Sequence, residues 1–257
     1  MQMIGIDVGG SGIKAAIVET TTGELATPRV RVETPQPSTP AAVAAAAAGI
    51  VADHPPELSA GIGFPAVVLN GEVKTAANID RSWIGTHADT LFADALGRSL
   101  IVGNDADAAG LAEMRFGAGR GEMGTVLMLT LGTGIGSALF RDGDLLPNTE
   151  LGHLQIRGKD AEHRAAASIK ERKGLSWPAW SKLLAEYLDA IDALIWPDLV
   201  IIGGGISKHA DHFIHDLPVR ARCVPATLQN RAGIVGAAML AAEAGSLTAP
   251  HAPAGAA

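Results

Sequence analysis

The residues of this chain that could do chemistry sit around two glycine turns and the start of one helix. The first turn is Asp7-Val8-Gly9-Gly10-Ser11-Gly12-Ile13-Lys14. A turn stripped of side chains exposes successive backbone N–H groups, which together form a concavity for anions. Asp7 stands where it could orient Mg2+ through water, and Lys14 where it could neutralise a phosphate. The glycines join strand to strand and no GxxxxGK[ST] run occurs, so this is not a P-loop. The second turn, Leu131-Gly132-Thr133-Gly134-Ile135-Gly136, offers the same donors and the Thr133 hydroxyl. Either turn alone could be an ordinary hairpin. Two of them facing across a cleft would hold a phosphate chain from both sides.

Three further groups could complete such a site. Gly103-Asn104-Asp105-Ala106-Asp107 ends a strand and starts a helix. Phosphoryl transfer to an alcohol needs a carboxylate to take the hydroxyl proton, so Asp105 is the candidate base and Asn104 a partner for a neighbouring hydroxyl. Both residue types also cap helices, and that reading stands beside the first, with Asp107 a competing carboxylate. Glu150-Leu151-Gly152-His153, followed by Glu162, supplies carboxylates and an imidazole, which read sugar hydroxyls in fixed directions. A plain surface Glu-His pair is the alternative, whereas metal ligation lacks an HExxH or a nearby cysteine. Ile202-Gly203-Gly204-Gly205-Ile206-Ser207 lets a flat ligand such as adenine lie on backbone, or is simply a strand-to-helix turn capped by Ser207.

The elements that must position these groups read as a repeat. Strands are expected at Ile4–Val8, Ile13–Val18, Leu25–Glu33, Ala60–Phe64 and Leu100–Gly103, with helices from Pro40 to about Ala52 and from Asp105 to near Gly117. The pattern then restarts with strands at Thr125–Leu131 and Ile135–Phe140. Trp180, Leu183, Leu184, Tyr187, Leu188, Ile191, Leu194 and Ile195 follow helical spacing between Ser176 as N-cap and Pro197 as stop. Leu199–Ile202 is a buried strand, and a small-residue helix spans about 234–244. IDVGGSGIKAAIV and LTLGTGIGSALF are alike, each heading one half of the chain, which implies two similar lobes facing across a cleft.

Composition limits the classes. The 257 residues are 47% hydrophobic with a net charge of −7, enough for a large core and without the basic excess of a nucleic-acid binder. One cysteine, Cys223, excludes an internal disulfide framework and fits a reducing cytosol. No secretory leader or apolar run of about 20 residues occurs, so a soluble, cytoplasmic protein without membrane association is expected. The Pro- and Ala-rich tail, 246–257, is expected to fray.

In order and spacing these motifs resemble the ROK family of sugar kinases (repressor, open reading frame, kinase), and within it the short polyphosphate-using members. The resemblance runs from Ile4 to about Ala242, through IDVGGSGIKAAIV, GIGFPAVV, KTAANIDRSWIG, GNDADAAGLAE, LTLGTGIGSALF, ELGHLQIRGKDAEHRAAAS and ALIWPDLVIIGGGISKHAD. It implies a two-lobed actin-like ATPase (RNase H-like) α/β fold with a central cleft. The smaller lobe would be residues 1–106 plus a helix at about 234–245, and the larger lobe residues 107–233. It implies that Asp105 is the general base on the 6-hydroxyl of glucose or mannose, and that Asn78, Asn104, Glu150, His153 and Glu162 contact the sugar. Gly9, Gly10, Ser11, Gly12 and Lys14, with Thr130, Gly132, Thr133 and Gly134, would be the phosphate loops. Gly204 and Gly205 would lie on the nucleoside side, with Mg2+ held through water by Asp7. Polyphosphate, ATP or both would be the donor, and the protein a homodimer.

Typical ROK proteins follow ELGH with CxCGxxGC and a terminal Glu. Here LQIRGKDAE intervenes, so no zinc is expected and Glu162 takes the Glu position. No DNA-binding helix-turn-helix precedes Ile4, which argues against a repressor. An ATP-only hexose kinase of other specificity and a non-catalytic sugar-binding regulator remain as alternatives. The basic-rich stretch Arg157, Lys159, Arg164, Lys170, Arg172 and Lys173 either guides polyphosphate or is a solvated face, since Asp160, Glu162 and Glu171 are interspersed.

Overall fold

A computed structural model describes residues 1–217 and 219–248. The first sheet begins with β1 (Gln2–Val8), which turns through Gly9–Gly12 into antiparallel β2 (Ile13–Glu19). Ile4, Ile6 and Val8, which alternate onto one face of the strand, are fully buried. The single strand expected over Leu25–Glu33 is in fact two short ones, β3 (Glu24–Leu25) and β4 (Val30–Val32), both paired with β2. Pro28 lies between them and has no N–H to give the ladder. Helix α1 (Pro40–Val51) starts on its proline. Strand β5 (Ala60–Phe64) is entirely buried. A small hairpin, β6 (Val68–Leu69) and β7 (Glu72–Val73), turns at Asn70 (φ 52°) and Gly71 (φ 78°), and helix α2 (Ala88–Leu96) ends on Gly97. Strand β8 (Leu100–Asn104) then runs directly into α3 (Asp105–Phe116). The order is β3-β2-β1-β5-β8, with β1, β5 and β8 parallel.

The second half repeats this plan. β9 (Thr125–Leu131) and β10 (Ile135–Arg141) form the hairpin, and β11 (Asp144–Leu146) adds to β10. A separate hairpin, β12 (Gln155–Ile156) with β13 (Lys159–Asp160), leads into α4 (Glu162–Ala165), α5 (Ala167–Arg172) and α6 (Trp177–Ile195). Strands β14 (Leu199–Gly203) and β15 (Arg222–Pro225) complete the order β11-β10-β9-β14-β15, again with a central first strand, an antiparallel neighbour and two parallel strands. Helix α6 is capped by the Ser176 hydroxyl accepting from the Ala179 N–H, and it buries Trp180, Leu184, Tyr187, Leu188 and Ile191. Each of the buried leucines and the isoleucine contributes about 1.5–3 kcal/mol of hydrophobic stabilisation. Leu194, expected on that face, is 64% exposed.

The final helix α7 (Ala232–Thr248) begins earlier and runs further than expected, and residues 249–257 of the expected frayed tail lie outside those described. It returns to the first sheet and packs there backbone to backbone. A Cβ on Gly5 would stand 1.9 Å from the Ile234 carbonyl oxygen, and one on Gly61 1.7 Å from that of Ala237. Helices α3 and α7 share one apolar cluster with both sheets, from Ala16 and Val18 to Met128 and Phe140. Beneath it Glu113, fully buried, accepts backbone N–H groups from Ala118, Thr227 and Leu228 at 2.8, 3.1 and 2.7 Å. The architecture is the two-lobed α/β arrangement of the actin-like ATPases, with one sheet per lobe. Among the described residues no helix is long and apolar enough to cross a membrane.

Candidate active site

Strand register brings the acids together. Asp7 is level with Gly63 of β5, and Gly63 with Gly103 of β8, so Asp7 and the Asn104-Asp105 corner lie at the same, carboxyl end of three parallel strands. Ligands bind at that end of open α/β sheets. Gly63 lies against this corner: a Cβ there would stand in ordinary contact, 3.4 Å from the Asp105 backbone. Asp105 keeps partial exposure, yet burial pushes its carboxyl up to about 7, helped by the negative charges of Asp7, Glu150 and Asp107 and opposed by the Ala106 N–H. A carboxylate with that proton affinity is suited to accept a proton near neutral pH.

Asn104 performs the capping that sequence left open. Its Oδ1 accepts the N–H groups of Ala106 (2.8 Å) and Asp107 (3.1 Å), while Nδ2 donates to the Ala66 carbonyl (3.2 Å) and to Glu150 Oε1 (3.4 Å). The cap and the contact to the sugar-side carboxylate are therefore made by opposite ends of one amide. Asp107 is tied to a different partner. Its Oδ2 accepts the Asn148 N–H at 2.6 Å, and burial raises its carboxyl to about 7. Asn148 in turn exchanges hydrogen bonds with the Val68 N–H (3.1 Å) and carbonyl (3.2 Å), fastening the segment before Glu150 to the other lobe.

The first glycine turn is tied by Gly9 N–H to Gly12 carbonyl at 3.0 Å. Lys14 lies 2.7 Å from Asp7 Oδ2, so its charge is shared with the carboxylate rather than aimed at the turn alone. The Arg31 guanidinium covers Gly12 and donates to the Ser11 carbonyl at 2.9 Å. The second turn is closed by Gly132 N–H to Gly134 carbonyl (3.0 Å) and held by Ser168, whose N–H and hydroxyl donate to the carbonyls of Gly132 (3.0 Å) and Thr133 (2.6 Å). Thr130 is level with Gly136 on one side and Gly203 on the other. A cavity of about 410 Å³ opens beside this turn, lined by Gly132, Thr133, Ser168, Lys170, Trp177 and Gly205. Gly204 packs against Leu131, and the Ser207 hydroxyl donates to the Gly204 carbonyl at 2.8 Å.

Asn78 bridges the turns: a Cβ on Gly10 would meet its carbonyl oxygen at 3.4 Å, and one on Gly134 its Nδ2 at 3.3 Å. Glu162 Oε2 would meet that same Gly134 Cβ at 2.2 Å and accepts the Ile135 N–H at 3.3 Å. Glu150, raised by burial and by Glu162, lies 3.5 Å from His153 Nε2. The predicted sugar, base and phosphate residues thus converge on one cleft, with Gly204 and Gly205 at its far end. The basic stretch does not act as one patch. Arg157 and Arg164 pair with Glu186 of α6, whereas Lys170 sits 4.0 Å over the Trp177 ring at the cavity. Arg31, Asn148 and Ser168 were not found from sequence: each works through main-chain atoms far from it in the chain and carries no local motif.

The donor chemistry fits a magnesium ion. Asp7 already raises the proton affinity of Asp105, a like-charge conflict that a hydrated divalent cation would relieve.

A similar sheet in each half, each carrying a glycine turn after its first strand, is the architecture of the actin-like ATPase fold. The chain belongs to the ROK family, whose profile matches residues 3–174. It is 54% identical over 236 residues to the polyphosphate glucokinase of Mycobacterium tuberculosis (strain CDC 1551 / Oshkosh), covering 91% of this chain and 89% of that one. The inorganic polyphosphate/ATP-glucomannokinase of Arthrobacter sp. strain KM superposes with a TM-score of 0.91 at 52% identity, covering 95% and 99% of the two chains. A ROK family glucokinase from Streptomyces griseus, solved with glucose and AMPPNP, shares the fold at TM-score 0.82 and 24% identity over 95% and 100% of the chains.

Proposed function

We propose that this protein transfers the terminal phosphoryl group of inorganic polyphosphate or ATP to the 6-hydroxyl of glucose, with Asp105 as general base. The observation that carries the reading is the position of Asp105 at the carboxyl ends of β1, β5 and β8, level with Asp7 and near enough to Asp7 and Glu150 for their charges to raise its proton affinity. The named activities of its relatives at 54% and 52% identity support the same donors and sugar. Mannose is a second acceptor on this reading.

Asp105 takes the hydroxyl proton as the sugar oxygen bonds to phosphorus, and the bridging oxygen leaves with the shortened polyphosphate or ADP. Glu150, His153, Glu162 and Asn78 hold the other hydroxyls, and Asn104 reaches one by giving up its 3.4 Å hydrogen bond to Glu150. The N–H groups of both turns take the phosphate oxygens, so little reorganisation is needed as charge moves. Magnesium, when bound through water at Asp7, supplies charge neutralisation on the phosphates. Closure of the lobes excludes water, which competes with the sugar hydroxyl. Lys170, with Arg172 and Lys173, guides the polyphosphate chain toward the cavity. The smaller lobe is residues 1–106 with the 234–245 part of α7, and the larger is 107–233. A cytoplasmic homodimer without zinc completes the reading, on the family resemblance.

The test is hexose 6-phosphate formation by purified protein with Mg2+, pairing glucose and mannose with ATP and long-chain polyphosphate, beside Asp105→Asn. Turnover of glucose with polyphosphate that the variant loses supports the reading. Turnover with ATP alone removes polyphosphate as donor. No turnover of any hexose overturns the enzyme reading in favour of sugar binding without catalysis.

A further inference from the structure

His153 presents two nitrogens to two different carboxylates. The β12–β13 hairpin turns through consecutive left-handed residues, Arg157 (φ 52°) and Gly158 (φ 74°), which brings Asp160 level with Gln155. Asp160 Oδ2 then lies 2.9 Å from His153 Nδ1, and its Oδ1 accepts the Gln155 side-chain amide. The other ring nitrogen, Nε2, lies 3.5 Å from Glu150 Oε2 on the cleft side. The charge of Glu162 also raises the proton affinity of the imidazole, and that of His163 lowers the affinity of Asp160. The hydrogen bond to Asp160 is the largest influence raising the proton affinity of His153, and the same bond lowers that of Asp160. The two shifts agree, as they must for one shared proton. A histidine whose Nδ1 proton is held by a carboxylate can present only Nε2 to its other neighbours.

We propose that Asp160 is a positioning residue: it holds the proton of His153 on Nδ1 and so aims Nε2 at the hexose hydroxyl beside Glu150. The inference rests on the hexose-kinase reading only for the identity of the hydroxyl. Gln155 completes the device, occupying the second oxygen of Asp160 so that the carboxylate does not rotate away from the ring.

The experiment combines 15N NMR of the imidazole nitrogens with kinetics for Asp160→Asn, Asp160→Ala and Asp160→Glu in the full chain. His153 is assigned by its loss in His153→Gln, and melting curves confirm that each variant is folded. In the parent, the neutral ring is expected as the Nδ1–H tautomer, shifting toward Nε2–H in Asp160→Ala and Asp160→Asn. Glucose KM is expected to rise about ten-fold in both, the effect of one misdirected hydrogen bond, with the KM for polyphosphate and ATP unchanged and Asp160→Glu recovering part of the loss. An unchanged tautomer in Asp160→Ala overturns the proposal, and so does a changed tautomer with unchanged glucose KM. If the parent turns over no hexose, the kinase reading fails, while the 15N spectra still decide whether Asp160 sets the proton of His153.

Discussion

Replacing Asp105 by asparagine separates what its carboxylate does for the reaction from what it costs the fold. The folded protein raises this group from 3.8 to about 7, chiefly by burial. Between those values the folded state holds a proton that the unfolded chain has released. The stability belonging to that proton is fully present below about pH 4 and is lost as pH climbs through 7. From pH 5 to pH 8 the loss covers about two pH units, or ~2.7 kcal/mol at about 1.4 kcal/mol per unit. Asparagine keeps the size of the side chain and removes the titration. Urea denaturation without ligands, at pH 5 and pH 8, should therefore show the variant gaining about 2–3 kcal/mol on the parent between the two conditions. Asp107, raised by the same burial, is present in both proteins and cancels. The variant should at the same time lose about 10²–10⁴ in hexose phosphorylation rate. A stability difference that stays constant from pH 5 to pH 8 would refute the argument that burial strains this carboxylate, and an undiminished rate would remove it as the base.

Gly134→Ala should damage both substrates' use, because its Cβ would fall 2.2 Å from Glu162 Oε2 and 3.3 Å from Asn78 Nδ2. Steady-state kinetics should show raised KM for sugar and donor together, and an effect on donor alone would contradict this placement. Glu113→Ala leaves three backbone N–H groups unsatisfied in the interior and should destabilise by at least about 3 kcal/mol, read as a lowered denaturation midpoint with glucose KM unchanged in protein that remains folded. Neutralising Lys170, Arg172 and Lys173 should raise the KM for long polyphosphate more than that for ATP, and equal effects would show that the stretch is only a solvated face.

Sequence legibility followed the length of each element. β5 (Ala60–Phe64) and β9 (Thr125–Leu131) were read to the residue, since each is a nonpolar run of strand length closed by proline or glycine. The β6–β7 and β12–β13 hairpins were missed because two-residue strands show no alternation, although Asn70-Gly71 is a turn signal that points to the first. The division of one expected strand into β3 and β4 follows from Pro28 and from the Thr27 hydroxyl, which takes the Ile17 N–H in place of a backbone carbonyl. In the site, the acids and glycines were visible because their types and spacing are chemically specific. Their partners were not. Lys14 could have met a phosphate or Asp7, and only the pairing of β1 with β2, which sets Asp7 opposite Lys14, decides for the carboxylate. Asn148 and Glu113 act on main chain 80 and more than 110 residues away, a relation no local pattern encodes.

The return of α7 to the first sheet also governs how the protein is made. Gly5 and Gly61 are fitted against the carbonyls of Ile234 and Ala237, so the inner face of β1 and β5 lacks most of its cover until that helix joins α3 there. A ribosome finishing β8 at Asn104 still has about 140 residues to add before Thr248, a wait of roughly 7–30 s at 5–20 residues per second. During that interval the second half can assemble its own sheet and the α6 core, while the lobe synthesised first stays open. The nascent chain therefore completes its lobes in the reverse of their order of synthesis, and one face of β1 and β5 is available to chaperones, or to aggregation, until the last helix arrives.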